Sequence, residues 1–379
     1  MAAEMMCTVC GAAHPGDLRE WCCACGGPFE VCFEAKFPLH EMRKRPPGLW
    51  RYREALPVGA DILPVSIGEA MTPLAQLKIE GIQIAAKLDF LFPTGSYKDR
   101  GATVMLTRMR ELGVQEAVED SSGNAAAAIS AYAARAGIRC HIYVPQGTSP
   151  AKLYQIASYG SGIVQVPGGR QATAEAAMTA ADKIYYASHY WNPFFNQGIK
   201  TFAFELWEQL GDRAPDVVVV PAGHGSLVLG CYRGFSDLLN AGLIRQLPCI
   251  VAVQSTACAP LYRIWSENLD HLPDIVQEPT LAEGISITRP VRWRQIKEAI
   301  AQTKGRVVIV SDDEIPAMLA VLARQGVLAE PTSAAAPAGL SHLIREGYIR
   351  AGQIVVVSIT GHGLKAAEKV SHIIQNKPG

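Results

Sequence analysis

Two runs of the chain, VVVVPA at residues 217–222 and IVVVSIT at 354–360, carry no polar alternation. A strand with one face in water alternates apolar and polar residues, so unbroken apolar runs belong to strands that helices cover on both faces. From about residue 99 the sequence alternates between helix and strand periods. DRGATVMLTRMRELG has helical period, VQEAVED is a short strand, GNAAAAISAYAARAG is an Ala-rich helix and IRCHIYVP is a strand. SPAKLYQIASYG, GIVQVPG, DVVVVPAG, SLVLGCYRGFSDLLNAG and PCIVAVQS continue the alternation. This order predicts α/β architecture with largely parallel sheets. A chain of 379 residues with this many strands favours two open domains. A closed eightfold barrel is the competing architecture, but the helix-rich stretch from 255 to 350 breaks its repeat.

Open parallel sheets bind ligands where strand ends enter helices. Four such loops stand out. In PTGSYKDRGA, residues 93–102, Asp99 suits the positive end of a helix dipole and Lys98 does not. A lysine there is disfavoured electrostatically and reads as a candidate nucleophile or base; the competing reading is a solvated lysine balanced by Asp99. EDSSGNAAAA, residues 119–128, turns Ser121, Ser122, Gly123 and Asn124 into a helix start that fits a carboxylate or phosphate, or simply caps the helix. PAGHGSLVLG, residues 221–230, places Gly223, His224, Gly225, Ser226 and Leu227 after an apolar strand, where glycines allow an anion to approach the backbone. It lacks the Gly-Lys-Ser/Thr ending of a nucleotide loop. SITGHGLK, residues 358–365, puts the Thr360 hydroxyl where a buried strand meets a loop. One reactive lysine, two glycine-bearing strand ends and an anion-binding helix start together describe a site for a phosphorylated cofactor that bonds covalently to an amine.

Six of the ten cysteines fall in the first 32 residues. CTVCG and WCCACGG give Cys7-x2-Cys10, eleven residues, then Cys22-x2-Cys25, the spacing of two knuckles offering four thiolates to one tetrahedral zinc. A glycine follows each knuckle and permits its tight turn. Cys23 and Cys32 are spare, although Cys23 could replace a neighbour. Cys140, Cys231, Cys249 and Cys258 lie in apolar surroundings and read as small core residues. The run KFPLHEMRKRPPGLWRYREALP reads as a linker into the main body.

Charged residues make up 18% of the chain, with 35 basic against 35 acidic side chains, so no net field favours nucleic acid or an anionic membrane. No run reaches the roughly 20 apolar residues of a membrane span, and no basic then apolar leader opens the chain. A soluble cytoplasmic protein is the expectation, with small neutral-to-anionic ligands left open.

The blocks PTGSYKDRGA, EDSSGNAAAA, PAGHGSLVLG, LAEGISI, EPTSAAAPAGL and SITGHGLK, in this order, resemble the pyridoxal-phosphate enzymes of the tryptophan-synthase β type, fold type II, and among them the threonine synthases. SIGEAMTPL is similar to that family's entrance motif. The resemblance spans about residues 62 to 370. It implies two open, largely parallel-sheet α/β domains preceded by a small zinc-ribbon-like segment at 1–40. The larger domain would comprise 41–95 plus 200–379 and the smaller one 96–199. It implies pyridoxal 5'-phosphate as cofactor and Lys98 as the Schiff-base lysine and general base. Asn124 would bond the cofactor's phenolic oxygen, Gly223 through Leu227 would cradle its phosphate, and Thr360 would face its pyridine nitrogen. Ser121 to Asn124 would hold an amino-acid substrate's carboxylate, and a homodimer is usual for such chains.

The implied activity is a threonine-synthase-like lyase, with O-phosphohomoserine to threonine as the named reaction. The alternatives are elimination or replacement on another hydroxy, phospho or diamino acid, or a regulatory protein that binds the cofactor without turnover. The pattern departs from the family on the substrate side. In SHYWNPFFNQGIKTF, Phe195 stands where threonine synthases carry an arginine that holds the substrate's phosphate. Ala125 follows Asn124 where a threonine is common, and Gly68-Glu69-Ala70 replaces Gly-Glu-Gly. Lys152, Lys200 or His224 would have to supply the missing charge. Tyr190, Trp191, Phe194 and Phe195 point to an aromatic pocket wall or to plain core packing.

Overall fold

The structure is a computed structural model that describes residues 4–375. It divides into two compact units, one of residues 1–71 and 98–201, the other of 72–97 and 202–379. The chain crosses between them at 71/72, 97/98 and 201/202.

The first unit is built on a four-stranded parallel sheet, in the spatial order Gly162–Val166, Arg139–Pro145, Glu116–Glu119, Tyr185–Tyr186. Helix Lys98–Glu111 leads into its first strand, and helices Asn124–Ala136, Pro150–Ser158 and Arg170–Ala180 connect the strands that follow. Ala125 to Ala128, Ala131 and Ala133 of helix Asn124–Ala136 pack with almost no exposure, which is why so small a residue dominates its buried part. The cysteine-rich N-terminus adds a three-stranded antiparallel sheet, Ala13–His14, Glu4–Cys7 and Phe29–Cys32.

Residues 41–71, expected with the larger domain, belong to this unit, and the run expected as a linker is folded. Leu39–Lys44 is helical, and the 3-10 segment Leu49–Ala55 buries Leu49 and Tyr52 completely. Leu49 and Leu56 pack on Val104, and Trp50 Nε1 donates to Thr103 Oγ1 at 3.0 Å, so helix Lys98–Glu111 collects this segment. Its apolar residues were hidden among prolines and charges.

The second unit holds a six-stranded sheet, ordered Arg306–Val310, Cys249–Ser255, Val217–Pro221, Val355–Ser358, Ile82–Lys87, Leu74–Ile79. All pairs are parallel except the last, an antiparallel edge hairpin. The two unbroken apolar runs are the central strands, and Val217–Pro221 is buried at every position. Helix Pro331–Arg345 packs on the sheet so closely that a Cβ on Gly339 would lie 2.7 Å from Val253. Strand Arg306–Val310 falls inside the stretch from 255 to 350 expected to be helix-rich. Among the described residues, no helix is long and apolar enough to cross a membrane.

Candidate active site

Lys98 is the first residue of helix Lys98–Glu111 in the first unit. Its Nζ lies 5.7 Å from the centre of the Phe195 ring. Phe195 is wholly buried against the same helix: a Cβ on Gly101 would sit 2.5 Å from the ring. The aromatic residue that replaces the expected arginine thus floors the lysine, and Gly101 makes room for it. Asp99 is buried rather than a surface counter-charge, with Tyr132 OH 3.5 Å away.

Asn124 opens helix Asn124–Ala136, and no side chain caps that end. Gly123 is the cap residue, and its N–H donates to Ser121 Oγ at 3.2 Å. A plain serine cap would instead accept from the helix, so this terminus keeps the partial positive charge that attracts a carboxylate.

Other expected residues lie in the second unit. Gly225 holds the position before helix Ser226–Asn240 with φ of 76°, which residues with a side chain rarely adopt, and no side chain caps that end. A Cβ on Gly223 would lie 2.9 Å from the carbonyl oxygen of Gly284, so backbone crowds the cradle where Gly223 stands. Thr360 is buried at the end of strand Val355–Ser358, its Oγ1 2.9 Å from Ser333 Oγ. Ser333 Oγ also accepts from the N–H groups of Thr360 (3.1 Å) and Gly361 (2.7 Å). It therefore orients the Thr360 hydroxyl, a role its motif EPTSAAAPAGL gave no sign of.

Tyr97 ties these loops together. Its N–H donates to the Thr360 carbonyl at 2.9 Å and its OH lies 3.1 Å from Ser226 Oγ. Beside it, the Ser96 hydroxyl is wholly buried without a hydrogen-bond partner among the described residues. A glycine cradle at an uncapped helix start, a positioned neutral hydroxyl, a buried unmatched serine and a lysine next in the chain are a donor set that fits pyridoxal phosphate.

Of the cations considered for a phosphate, Lys200 is buried with its Nζ 5.8 Å from the Phe33 ring, and His224 sits in the glycine loop of the second unit. The side chain of Lys152 lies outside the described residues. Among the aromatic residues, Phe194 packs over the Arg108 guanidinium, Trp191 meets Trp21 edge to face at 4.8 Å, and the Tyr190 OH donates to Asp120 at 2.7 Å.

At the N-terminus the sulfurs of Cys7, Cys10, Cys23 and Cys25 all lie within 4.8 Å of one another. Cys23, not Cys22, completes the cluster. Adjacent residues project oppositely, and the turn closed by Cys23 N–H to Gly27 O (2.9 Å) and Gly26 N–H to Cys23 O (2.7 Å) aims Cys23 and Cys25 inward. Gly11 and Gly26 take φ of 72° and 80°, as the knuckle turns require. Burial works against a thiolate at Cys7, but the N–H groups of Cys10 and Val9 and the neighbouring thiols outweigh it and draw its pKa down to about 6. His14 Nε2 stands 3.6 Å from Cys23 Sγ.

The family model described as pyridoxal-phosphate dependent enzyme matches residues 65–361. The chain is 35% identical over 372 residues to a threonine synthase of Methanocaldococcus jannaschii, covering 95% of this chain and 92% of that one. It is 38% identical over 322 residues to a threonine synthase of Mycobacterium bovis, covering 83% and 87%. A solved structure of a fungal L-serine ammonia-lyase from Rhizomucor miehei superposes with a TM-score of 0.71 at 21% identity, over 83% of this chain and 99% of that one.

Proposed function

The chain belongs to the pyridoxal-phosphate dependent enzyme family, and on that premise we propose that it is a threonine-synthase-like lyase that eliminates or replaces a side-chain leaving group of an amino acid. The observation that carries the reading is Tyr97, which joins the Thr360 strand end to the Ser226 helix start and delivers Lys98 as the next residue. When bound, the cofactor would supply an electron sink for the charge that develops at the substrate's Cα. Lys98 would hold it covalently and, once released, take the Cα proton at Nζ. Backbone N–H groups of Gly223 to Leu227 would hold its phosphate and Asn124 its phenolic oxygen. Thr360, aligned by Ser333, would face the ring nitrogen with a neutral hydroxyl, which does not enforce protonation there as a carboxylate would. The uncapped helix start at Ser121 to Asn124 would seat the substrate's carboxylate.

Conversion of O-phosphohomoserine to threonine is the leading named reaction. Phe195, buried where an arginine was expected, favours a second reading: a related lyase acting on another hydroxy, phospho or diamino acid. Release of inorganic phosphate from O-phosphohomoserine separates the two, since its absence at every substrate concentration leaves only the second. A screen of amino acids for shifts in the cofactor's visible absorbance, with Lys98→Ala as control, identifies the substrate in that case. The cysteine cluster would bind one structural zinc through Cys7, Cys10, Cys23 and Cys25 and staple the N-terminus to its unit. A cytoplasmic homodimer is the proposed form.

A further inference from the structure

Three contacts of the cysteine-rich segment lead to the stretch of the first unit that lies beneath Lys98. Trp21, two residues before Cys23 of the thiol cluster, sets its ring edge to face against Trp191 at 4.8 Å and Tyr186 at 5.6 Å. The Gly16 carbonyl oxygen accepts from Arg108 Nη2 at 2.8 Å, and the Arg108 guanidinium lies 5.3 Å from the centre of the Phe194 ring. Strand Phe29–Cys32 packs on helix Pro193–Ile199, and the Phe33 ring lies 5.8 Å from Lys200 Nζ just past that helix.

The residues reached in this way hold the site in place. Tyr186 OH and Tyr190 OH donate to Asp120 at 2.9 and 2.7 Å, and His189 Nδ1 lies 2.6 Å from Glu119 Oε1. They fix the strand end from which Ser121 to Asn124 turn into the carboxylate seat. Asn192 opens helix Pro193–Ile199 by accepting from the Phe194 N–H at 3.0 Å, and Phe195 follows with its ring 5.7 Å from Lys98 Nζ. Trp21 therefore leans on both supports: Tyr186 bonds Asp120, and Trp191 precedes the helix that carries Phe195.

The segment has little of its own to hold its shape. Its strands are two to four residues long, and its buried apolar side chains are Met5, Cys7, Cys23, Phe29 and Val31. Chains below about 40 residues take their fold from a metal, from cross-links or from what they pack against. We propose that metal at the cysteine cluster and an amino acid at Lys98 bind cooperatively, with Trp21 as the positioning residue that joins the two sites. The proposal rests on the metal and lyase readings above. Its two states differ at Trp21. With metal bound, the Cys23 turn holds Trp21 on Tyr186 and Trp191, and Asp120 and Phe195 keep their places. Without metal the turn loosens, Trp21 leaves, and the carboxylate seat and the floor under Lys98 lose a lateral support. Linkage makes the effect mutual, so an amino acid that needs those supports tightens the metal.

The test uses holoenzyme and two equilibria. L-norvaline, which carries no leaving group, is titrated against the cofactor's visible absorbance with the cluster zinc-loaded and again after a chelator has removed the zinc. Zinc affinity is measured in turn by competition with a zinc-chelating dye, with and without saturating L-norvaline. Zinc removal should weaken L-norvaline about tenfold, and L-norvaline should tighten zinc by about the same factor. Trp21→Ala removes no thiol and should keep its zinc, yet bind L-norvaline about tenfold more weakly and respond less than about threefold to zinc removal. Trp21→Phe should recover part of both effects. The zinc-loaded Trp21→Ala protein decides even where the stripped protein does not stay folded. L-norvaline affinity within about twofold of wild type in that variant overturns the coupling, and if the variant only melts lower, Trp21 is merely structural. Equal L-norvaline affinities with and without zinc in the wild type overturn it as well. A purified protein that binds no zinc overturns the metal reading. Absence of a cofactor spectral shift with L-norvaline and every amino acid of the screen overturns the lyase reading, and either result takes the coupling with it.

Discussion

Lys87→Met is the substitution whose cost follows most directly from the structure. Lys87 is wholly buried at the end of strand Ile82–Lys87, and its three N–H donors go to Thr72 O at 2.7 Å, Glu205 Oε2 at 2.6 Å and Gln209 Oε1 at 2.7 Å. Glu205 is equally buried, and Thr72 donates in turn to Asp89 at 2.7 Å. Methionine fills the space of the lysine stem but removes the ammonium that lies 2.6 Å from the Glu205 carboxylate. Breaking one side of a buried ion pair costs about 3–5 kcal/mol, a large share of the ~5–15 kcal/mol that holds a domain together. At about 2–4 °C per kcal/mol for a unit of roughly 200 residues, the midpoint of thermal unfolding should fall by about 6–20 °C. Lys87→Met combined with Glu205→Leu removes the pair whole instead of breaking it and should recover at least half of the loss. Scanning calorimetry of the three proteins decides. A single variant that loses less than about 1 kcal/mol, or a double variant no more stable than the single, refutes the assignment of this pair as the anchor of residues 72, 87 and 205.

Three other outcomes are expected. One zinc per chain should be found by metal analysis, retained in Cys22→Ala and lost in Cys23→Ala; the reverse pattern would restore the spacing Cys22-x2-Cys25 as the ligand set. Gly101→Ala should destabilise by about 1–3 kcal/mol in a urea melt despite alanine's better helix propensity, since its methyl group would lie 2.5 Å from the Phe195 ring; a gain in stability would show that the ring moves freely. Glu119 has a raised folded pKa, so between its unfolded value of about 4.3 and that raised value the folded state binds more protons and stability declines as pH rises. Urea midpoints measured from pH 5 to 9 should therefore fall less steeply in Glu119→Gln than in wild type, and identical slopes would mean that Glu119 titrates normally.

The local patterns transferred to the fold wherever their cause is local. Unbroken valine runs became the central strands because only burial on both faces tolerates them, and PTGSYKDRGA placed Lys98 at a helix start because turn and capping chemistry act within a few residues. Strand Arg306–Val310 went unread because its short apolar run sits between helices that dominate any window around it. The edge hairpin Leu74–Ile79 and Ile82–Lys87 was masked by the proline-rich approach to it.

Lys98, the glycine loop at 223–227 and Thr360 were thus legible as residue types in an order that belongs to one cofactor chemistry. The sequence WCCACGG, by contrast, allows two pairs of ligands, and only the turn at Cys23 to Gly27 selects between them. Glu119 and His189 are seventy residues apart, and Thr360 and Ser333 twenty-seven, so their pairing exists only once parallel strands and packed helices align their ends. Periodicity and turn chemistry are short-range and survive in one dimension. The matching of a buried carboxyl to an imidazole, or of one hydroxyl to another, is a property of the packed interior, and there the tertiary structure alone decided.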